Sequence, residues 1–482
     1  MNAYEKLRPA LLWELFAGIC AIPHTSGHEA RLRRWIADEA VKRGLKTKTD
    51  AAGNLRIDRP AAPGFEHVPP VLMQGHLDMV PQKRPGTAFD FITEPIRLKL
   101  KGKNLYADGT TLGADDGIGL AAGLSLLFDP AFACGPLALL ATVQEETGLD
   151  GAREIEADML AGDLLLNLDS EDEGVFCIGC AGGETISFRF TTEHEPLTGD
   201  AAGFRLTLRG LKGGHSGTDI DGNRGNAVSL LVDFLQKNPA CRIASFTGGT
   251  VDNAIPDEAQ AEFAVPQLEV ETLTAAVADT LRRIREKYDV LPDCDLKLEP
   301  IAPPPRVWKE KFQQRALTAI HQLPNGVLDP GAKDGPIVTS CNLAVFRARL
   351  KEGRVVLHPR STADAHGRVT GRCRELMEPL SPQAEIAGSY PSWQPRTDSP
   401  ALKMAVEVYT DLFKTEPVCE VIHAGLECGL FKRLRPELDM ISFGPTVRGA
   451  HTTSEHVETA TVARFDRFLR ALLLRWAERE KP

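Results

Sequence analysis

Eight residues with metal-ligand or proton-transfer chemistry, His76, Asp78, Asp115, Asp116, Glu145, Glu146, Asp169 and His451, are confined to five short stretches. These are Gly75-His76-Leu77-Asp78, Gly113-Ala114-Asp115-Asp116-Gly117, Gln144-Glu145-Glu146-Thr147-Gly148, Asn167-Leu168-Asp169-Ser170 and Gly449-Ala450-His451. Three follow apolar runs of strand length, Val71-Leu72-Met73, Leu137 to Val143 and Leu164 to Leu166; the last lies a few residues after Ile441-Ser442-Phe443. Ligands gather at the carboxyl ends of the strands in a parallel α/β sheet. Imidazoles and carboxylates delivered there supply enough donors for two metal ions.

His76 and Asp78 are two positions apart, so they share a face if the strand continues through them. A carboxylate so placed can accept the second ring N–H of a metal-bound imidazole. Taken alone, His-x-Asp reads better as a satisfied core histidine beside a strand-terminal acid; the other stretches reverse that balance. Asp115 sits in a tight glycine-flanked turn at a helix start, where its two oxygens suit a bridge between two ions, while Asp116 reads equally as an N-cap. Glu145 and Glu146 end a buried strand, where a bend lets one bind metal and its neighbour reach a water. Two buried carboxylates without cations would force one to take up a proton, and a metal pair removes that cost. Glu171-Asp172-Glu173 reads as a solvated acidic turn.

The elements that must position these groups form three parts. Helix and strand alternate from residue 1 to about 184: helices at Leu11 to Ala17 and Glu29 to Arg43, strands at Lys46 to Thr49 and Leu55 to Ile57, then the motif-bearing strands with a helix from Gly117 through Leu127 between two of them. Residues 185–390 carry few motifs and two strand-and-helix sets in series, suggesting a duplicated α+β unit. From 391 a helix, a strand at Met440 to Phe443 and an amphipathic helix from Glu458 to Arg479 return to the first pattern. Because His451 lies there, the expected organisation is a discontinuous domain, 1–184 with 391–482, and an inserted domain, 185–390.

At 482 residues the chain exceeds what one core organises. A net charge of −10 gives no electrostatic footprint for nucleic acid or anionic membrane. No apolar run approaches the ~18 residues of a membrane span, and the N-terminus lacks a cationic segment followed by an apolar one. Ten scattered cysteines read as reduced core thiols, including Cys177 and Cys180 in a strand-like setting. The expectation is a cytoplasmic protein.

The five stretches resemble the dinuclear zinc site of the M20 metallopeptidase family. Lys212-Gly213-Gly214-His215-Ser216-Gly217, Gly248 to Pro256 and His423 to Gly429 strengthen the likeness to its aminoacyl-histidine dipeptidase branch, over nearly the whole chain. The resemblance implies a zinc-exopeptidase-like α/β catalytic domain, with a mixed, largely parallel sheet flanked by helices, plus a large inserted α+β lid. It implies two Zn2+, with Co2+ or Mn2+ as substitutes: His76 and Asp169 on one, Glu146 and His451 on the other, Asp115 between them. Glu145 would be general base and then acid, Asp78 would orient His76, and a cis peptide would follow Asp115. His215, which composition alone places in a surface glycine loop, would polarise the scissile carbonyl; Asn253, Arg360 and Gly425 would bind substrate, with Arg360 on its carboxylate. The implied activity is hydrolysis of unblocked dipeptides, including Xaa-His and β-alanyl-histidine types. Another M20 hydrolase, such as an N-acyl amino acid amidohydrolase or tripeptidase, shares the metal motifs, and a noncatalytic binding descendant would not need Glu145. The partner is a small peptide, with neither nucleic acid nor membrane, and the inserted domain leaves room for a homodimer.

Overall fold

A computed structural model gives the fold, and the structure describes residues 3–333 and 335–478. The chain divides into two compact units: one holds the residues up to Gly179, Trp393–Val421 and those from Leu426 on, the other Cys180–Ser392 with Ile422–Gly425.

The first unit is built on an eight-stranded sheet. Its centre is four mutually parallel strands in the order Leu137–Thr142, Val71–His76, Leu164–Asn167 and Asp439–Ser442. All but one of their residues are buried, as the near-continuous apolar runs require of strands covered on both faces. Leu55–Arg59 on one side and Val175–Cys180 on the other add antiparallel neighbours, so the sheet is mixed but largely parallel at its core. Parallel strands end on the same side, which brings His76, Glu145 and Asp169 to one edge despite sequence gaps of tens of residues.

The helix Ala114–Phe128 is almost wholly buried, a setting its small residues permit. At its start Asp115 and Asp116 have non-helical dihedrals and the peptide bond between them is cis. The C-terminal helix runs Thr459–Glu478; Arg479, the expected last residue, lies outside the described residues. Phe468 from this helix stacks on Phe176 at 5.1 Å between ring centroids and meets Phe443 and Tyr409 edge-on at 4.9 and 5.4 Å.

The second unit holds a nine-stranded sheet whose main path reads Val290–Ile301, Ala201–Leu211, Ala259–Pro266, Arg242–Gly248, Thr339–Arg349, Glu352–Ser361, Gly182–Phe190, Gln383–Tyr390. Either half, read from its outer strand inwards, follows the same connectivity, with helices Ala227–Lys237 and Val270–Lys287 in one half and Glu310–His321 and His366–Met377 in the other. The strand Val290–Ile301 has no counterpart in the sequence reading because two prolines, Pro292 and Pro300, and four charged residues interrupt its apolar pattern. It lies at the edge of the sheet, where such residues are tolerated. Cys177 and Cys180 are buried, as expected, and Cys419 is the exposed one of the ten cysteines. Among the described residues no helix is long and apolar enough to cross a membrane.

Phe468 is 2 % exposed and surrounded by rings, so Phe468→Ala is expected to cost about 3–5 kcal/mol in denaturant unfolding. A loss below about 1 kcal/mol would show that this aromatic cluster contributes little.

Candidate metal centre

His76 ends its strand with the ring 1 % exposed. Nδ1 lies 2.9 Å from the backbone carbonyl of Asp78, so it carries the proton and Nε2 is left with a lone pair. That lone pair faces Asp115 Oδ1 at 2.9 Å and Asp169 Oδ1 at 3.4 Å. On the other side of the turn, His451 Nε2 lies 3.1 Å from Asp115 Oδ2 and 2.9 Å from Glu146 Oε2. The two oxygens of Asp115 thus face different imidazoles, and the donors fall into two sets that share this carboxylate. One donor atom each of His76, Asp115 and Glu146 lies within 4.8 Å of the others.

Acceptor facing acceptor is unfavourable without a proton or a cation between them. Among the described residues no lysine or arginine pairs with Asp115, Glu146 or Asp169. Protons fill the role here. Burial opposes charge on His76, but the carboxylates of Asp169 and Asp115 outweigh it and hold the imidazole well above its usual range. Hydrogen bonds to Asp115 and Glu146 raise His451 to about 11. Burial pushes Glu146 up to about 7 and Asp169 to about 6. Burial also raises Glu145, beside Glu146, well above the carboxylate range. A mixed imidazole and carboxylate set held in this way fits divalent metal.

Backbone clamps hold the donors. The carboxylate of Asp78 is 3.6 Å from the His76 ring, beyond hydrogen-bond range, so the atom that orients the imidazole is its main-chain oxygen rather than the expected side chain. The carboxylate accepts instead from the N–H groups of Glu145 and Glu146, at 3.0 and 3.2 Å, and from Ser26 Oγ at 2.7 Å. It therefore fixes the bend that carries both glutamates. Glu455, which no sequence signal marked, accepts from the N–H groups of Leu112, Gly113 and Ala114 at 2.7, 3.2 and 2.7 Å, tying the turn before Asp115 to the loop of His451. Gly75 is required at its position because a Cβ there would lie 2.0 Å from Asp116 Oδ2. Asp116 Oδ1 accepts from Gly119 N, the capping role that its position allowed.

Beneath the donors runs a second buried layer. Ser170 and Ser442 hydroxyls meet at 2.7 Å, Ser442 bonds Asn167, Asn167 Nδ2 donates to Gln74 Oε1 at 2.7 Å, and Gln74 Nε2 donates to Glu427 Oε2 at 2.6 Å. Thr142 Oγ1 donates to the same oxygen at 2.9 Å, and burial raises Glu427 to about 8. Gln74 and Asn167 stand two residues before His76 and Asp169, so the layer fixes the strand ends. Only Asp172 of the acidic turn is exposed, paired with Arg448; Glu173 bonds Tyr409 and Arg464, and burial raises Glu171 to about 8. The turn is less solvated than its composition suggests because it packs behind the donor cluster.

The second unit holds the remaining candidates. His215 Nδ1 lies 3.1 and 3.3 Å from the N–H groups of Thr218 and Gly217, and Nε2 lies 3.5 Å from Arg360 Nη2. Its turn is not a free loop: Ser216 N bonds Asn253 O and Ile255 N bonds Gly214 O, both at 2.8 Å. Asn253 is thereby joined to the turn through its backbone, while the residue itself is exposed. Arg360 is 3 % exposed, and a Cβ on Gly425 would strike the ring of Tyr390 at 2.6 Å, which excludes larger residues there.

Protons held on Glu146, Asp169, Glu171, Glu427 and Glu455 give the metal-free fold a pH dependence. Their folded values of about 6 to 8 lie above the ~4 of an unfolded chain, so across that window only the folded chain keeps the proton. The raised imidazoles act in the same direction above pH ~6.5. The Tm of chelator-treated protein is therefore expected to fall from pH 5 to 7.5, and less so with metal bound; a flat or rising metal-free profile would contradict these assignments.

A profile of peptidase family M20/M25/M40 matches residues 72–475. The cytosol non-specific dipeptidase of Escherichia coli K12 is 39% identical over 98% of this chain and 99% of its own. The crystal structure of aminoacylhistidine dipeptidase from Vibrio alginolyticus superposes with a TM-score of 0.83 at 38% identity, covering 98% of both chains. A tripeptidase from Staphylococcus aureus shares the fold, with a TM-score of 0.56 at 16% identity over 98% of this chain and 100% of that one. Donor cluster, parallel strand ends and similarity over nearly the full length agree: the chain belongs to the M20 peptidase family.

Proposed function

We propose that this chain is a dinuclear metal-dependent dipeptidase that hydrolyses unblocked dipeptides, Xaa-His and β-alanyl-histidine types among them. The observation that carries the reading is Asp115, one oxygen toward His76 and the other toward His451, with Glu145 beside the donor Glu146. The names of the two relatives near 40% identity supply the substrate class. His76, Asp115 and Asp169 would hold one ion and Glu146, Asp115 and His451 the other, with zinc the ion that suits the donors and Co2+ or Mn2+ as substitutes. Two dications held there would supply Lewis acidity for the scissile carbonyl and lower the pKa of a bound water.

The protein's own groups do the rest. Glu145 takes a proton from the attacking water and passes it to the leaving amine. The imidazole of His215 polarises the carbonyl oxygen as negative charge builds on it. Arg360, with Asn253 and Gly425, binds the end of the peptide that bears the free carboxylate. Asp78 holds the Glu145 bend, and its backbone oxygen keeps His76 in the tautomer that turns Nε2 toward metal. A cytoplasmic location follows the named cytosolic relative.

Removal of metal by a strong chelator is expected to abolish peptide hydrolysis and lower the Tm, both restored by Zn2+. Asp115→Ala should reduce occupancy of both ions and Asp169→Ala mainly one, read by elemental analysis; equal retention of two ions in both variants removes the bridge. Glu145→Gln keeps shape and metal but should lose about 10²–10⁴ in kcat. Near-native turnover in that variant rules it out as the base. A panel of Xaa-His dipeptides, tripeptides and N-acetyl amino acids decides the substrate class: preference for the last two replaces the dipeptidase reading with a tripeptidase or amidohydrolase one.

A further inference from the structure

Arg360 is a buried cation without an anion. It is 3 % exposed, and among the described residues no carboxylate lies within ion-pairing distance. A buried guanidinium in that state carries a desolvation cost that an incoming anion would relieve. Its hydrogen-bond partners are not anions: Nη1 donates to the Tyr390 hydroxyl at 2.5 Å, Nη2 donates to Ser216 Oγ at 3.2 Å and lies 3.5 Å from His215 Nε2, and Nε has no partner.

The hydroxyl of Tyr390 reaches Arg360 across an intervening strand. Gly183, on Gly182–Phe190, pairs with Arg360 on one side and with Tyr390 on the other. A Cβ on Gly183 would lie 2.7 Å from the tyrosine oxygen, so only glycine leaves room for the phenol to cross. Gly425 packs against the same ring and confines it from another direction.

Beyond Tyr390 the hydrogen bonds run in one direction. The hydroxyl accepts from Arg360 and can donate to His358 Nε2 at 3.3 Å; His358 Nδ1 lies 3.1 Å from Thr185 Oγ1, which donates to Asp252 Oδ2 at 2.6 Å. Burial, and then the charge of Arg360, hold His358 down at about 4, so the imidazole is neutral and can accept the phenol proton. The chain ends on the carboxylate of Asp252, three groups away from Arg360. It polarises the phenol oxygen as an acceptor without neutralising the guanidinium.

We propose that Tyr390, reaching through the gap at Gly183, is the positioning residue that holds Arg360 with Nε unpartnered for the substrate's carboxylate, and that it thereby sets the preference for peptides with a free C-terminus. This rests on the proposed role of Arg360 as the carboxylate anchor. Tyr390→Phe keeps the ring and removes the oxygen that holds Nη1, leaving Ser216 Oγ on Nη2.

The test compares a dipeptide with its C-terminal amide in metal-loaded protein. A hydrogen bond to a charged group corresponds to a factor of ten or more, so Tyr390→Phe should lower the acid-to-amide ratio of kcat/KM about tenfold, chiefly by raising KM for the acid. Arg360→Ala, measured alongside, should abolish the discrimination. A ratio within twofold of wild type in Tyr390→Phe, or equal losses for acid and amide, overturns the proposal, because a general structural defect would weaken both. Calorimetric binding of the same pair to Glu145→Gln protein, with and without Tyr390→Phe, gives the answer without turnover. A wild-type chain that cleaves no dipeptide sinks the dipeptidase reading alone, while unchanged acid-over-amide binding in the calorimeter sinks the role of Tyr390.

Discussion

Negative charge crowded into a buried site is the constraint on which the first unit depends. Asp115, Glu146 and Asp169 lie around two imidazoles, with Glu145 beside them and Glu171, Glu427 and Glu455 close enough to be pushed upward by burial. Such a cluster is tolerable only with protons or cations among the oxygens. The metal pair inferred for the family's chemistry is therefore also the natural counter-charge of the fold, which couples stability to loading.

Main-chain atoms supply much of the rigidity that the cluster needs. Two carboxylates that are not themselves proposed as ligands, Asp78 and Glu455, accept five backbone N–H bonds between them and so fix the glutamate bend and the turn before Asp115. The layer of Gln74, Asn167, Thr142, Ser442 and Glu427 joins four strand ends beneath the donors. Placement of donors within a few tenths of an ångström calls for support of this kind.

The second unit presents the converse electrostatic situation. Arg360 has donors to spare and no carboxylate partner among the described residues, while the nearby imidazoles of His358 and His423 are held neutral by burial and by its charge. One unit collects excess negative charge and the other keeps a buried positive one. The proposed function assigns metal to the first and the peptide carboxylate to the second.

The sequence by itself determined the strand-end stretches, the alternation that makes an α/β sheet, and which residues are candidate donors, because apolar periodicity and residue chemistry are local. The helix Ala227–Lys237 and the strands Val71–His76 and Leu164–Asn167 were legible for that reason. Tertiary structure alone decided that the Asp78 carboxylate grips backbone amides while its carbonyl orients His76, since a two-residue spacing says which face a side chain takes but not which atom is nearer. It also decided the roles of Glu455, Glu427 and Tyr390. Their partners lie 341 to 343, 353 and 30 positions away, and hydrogen bonds across such separations leave no periodic trace in the chain. Gly183 and Gly75 read as ordinary glycines until the packing shows what a Cβ would strike.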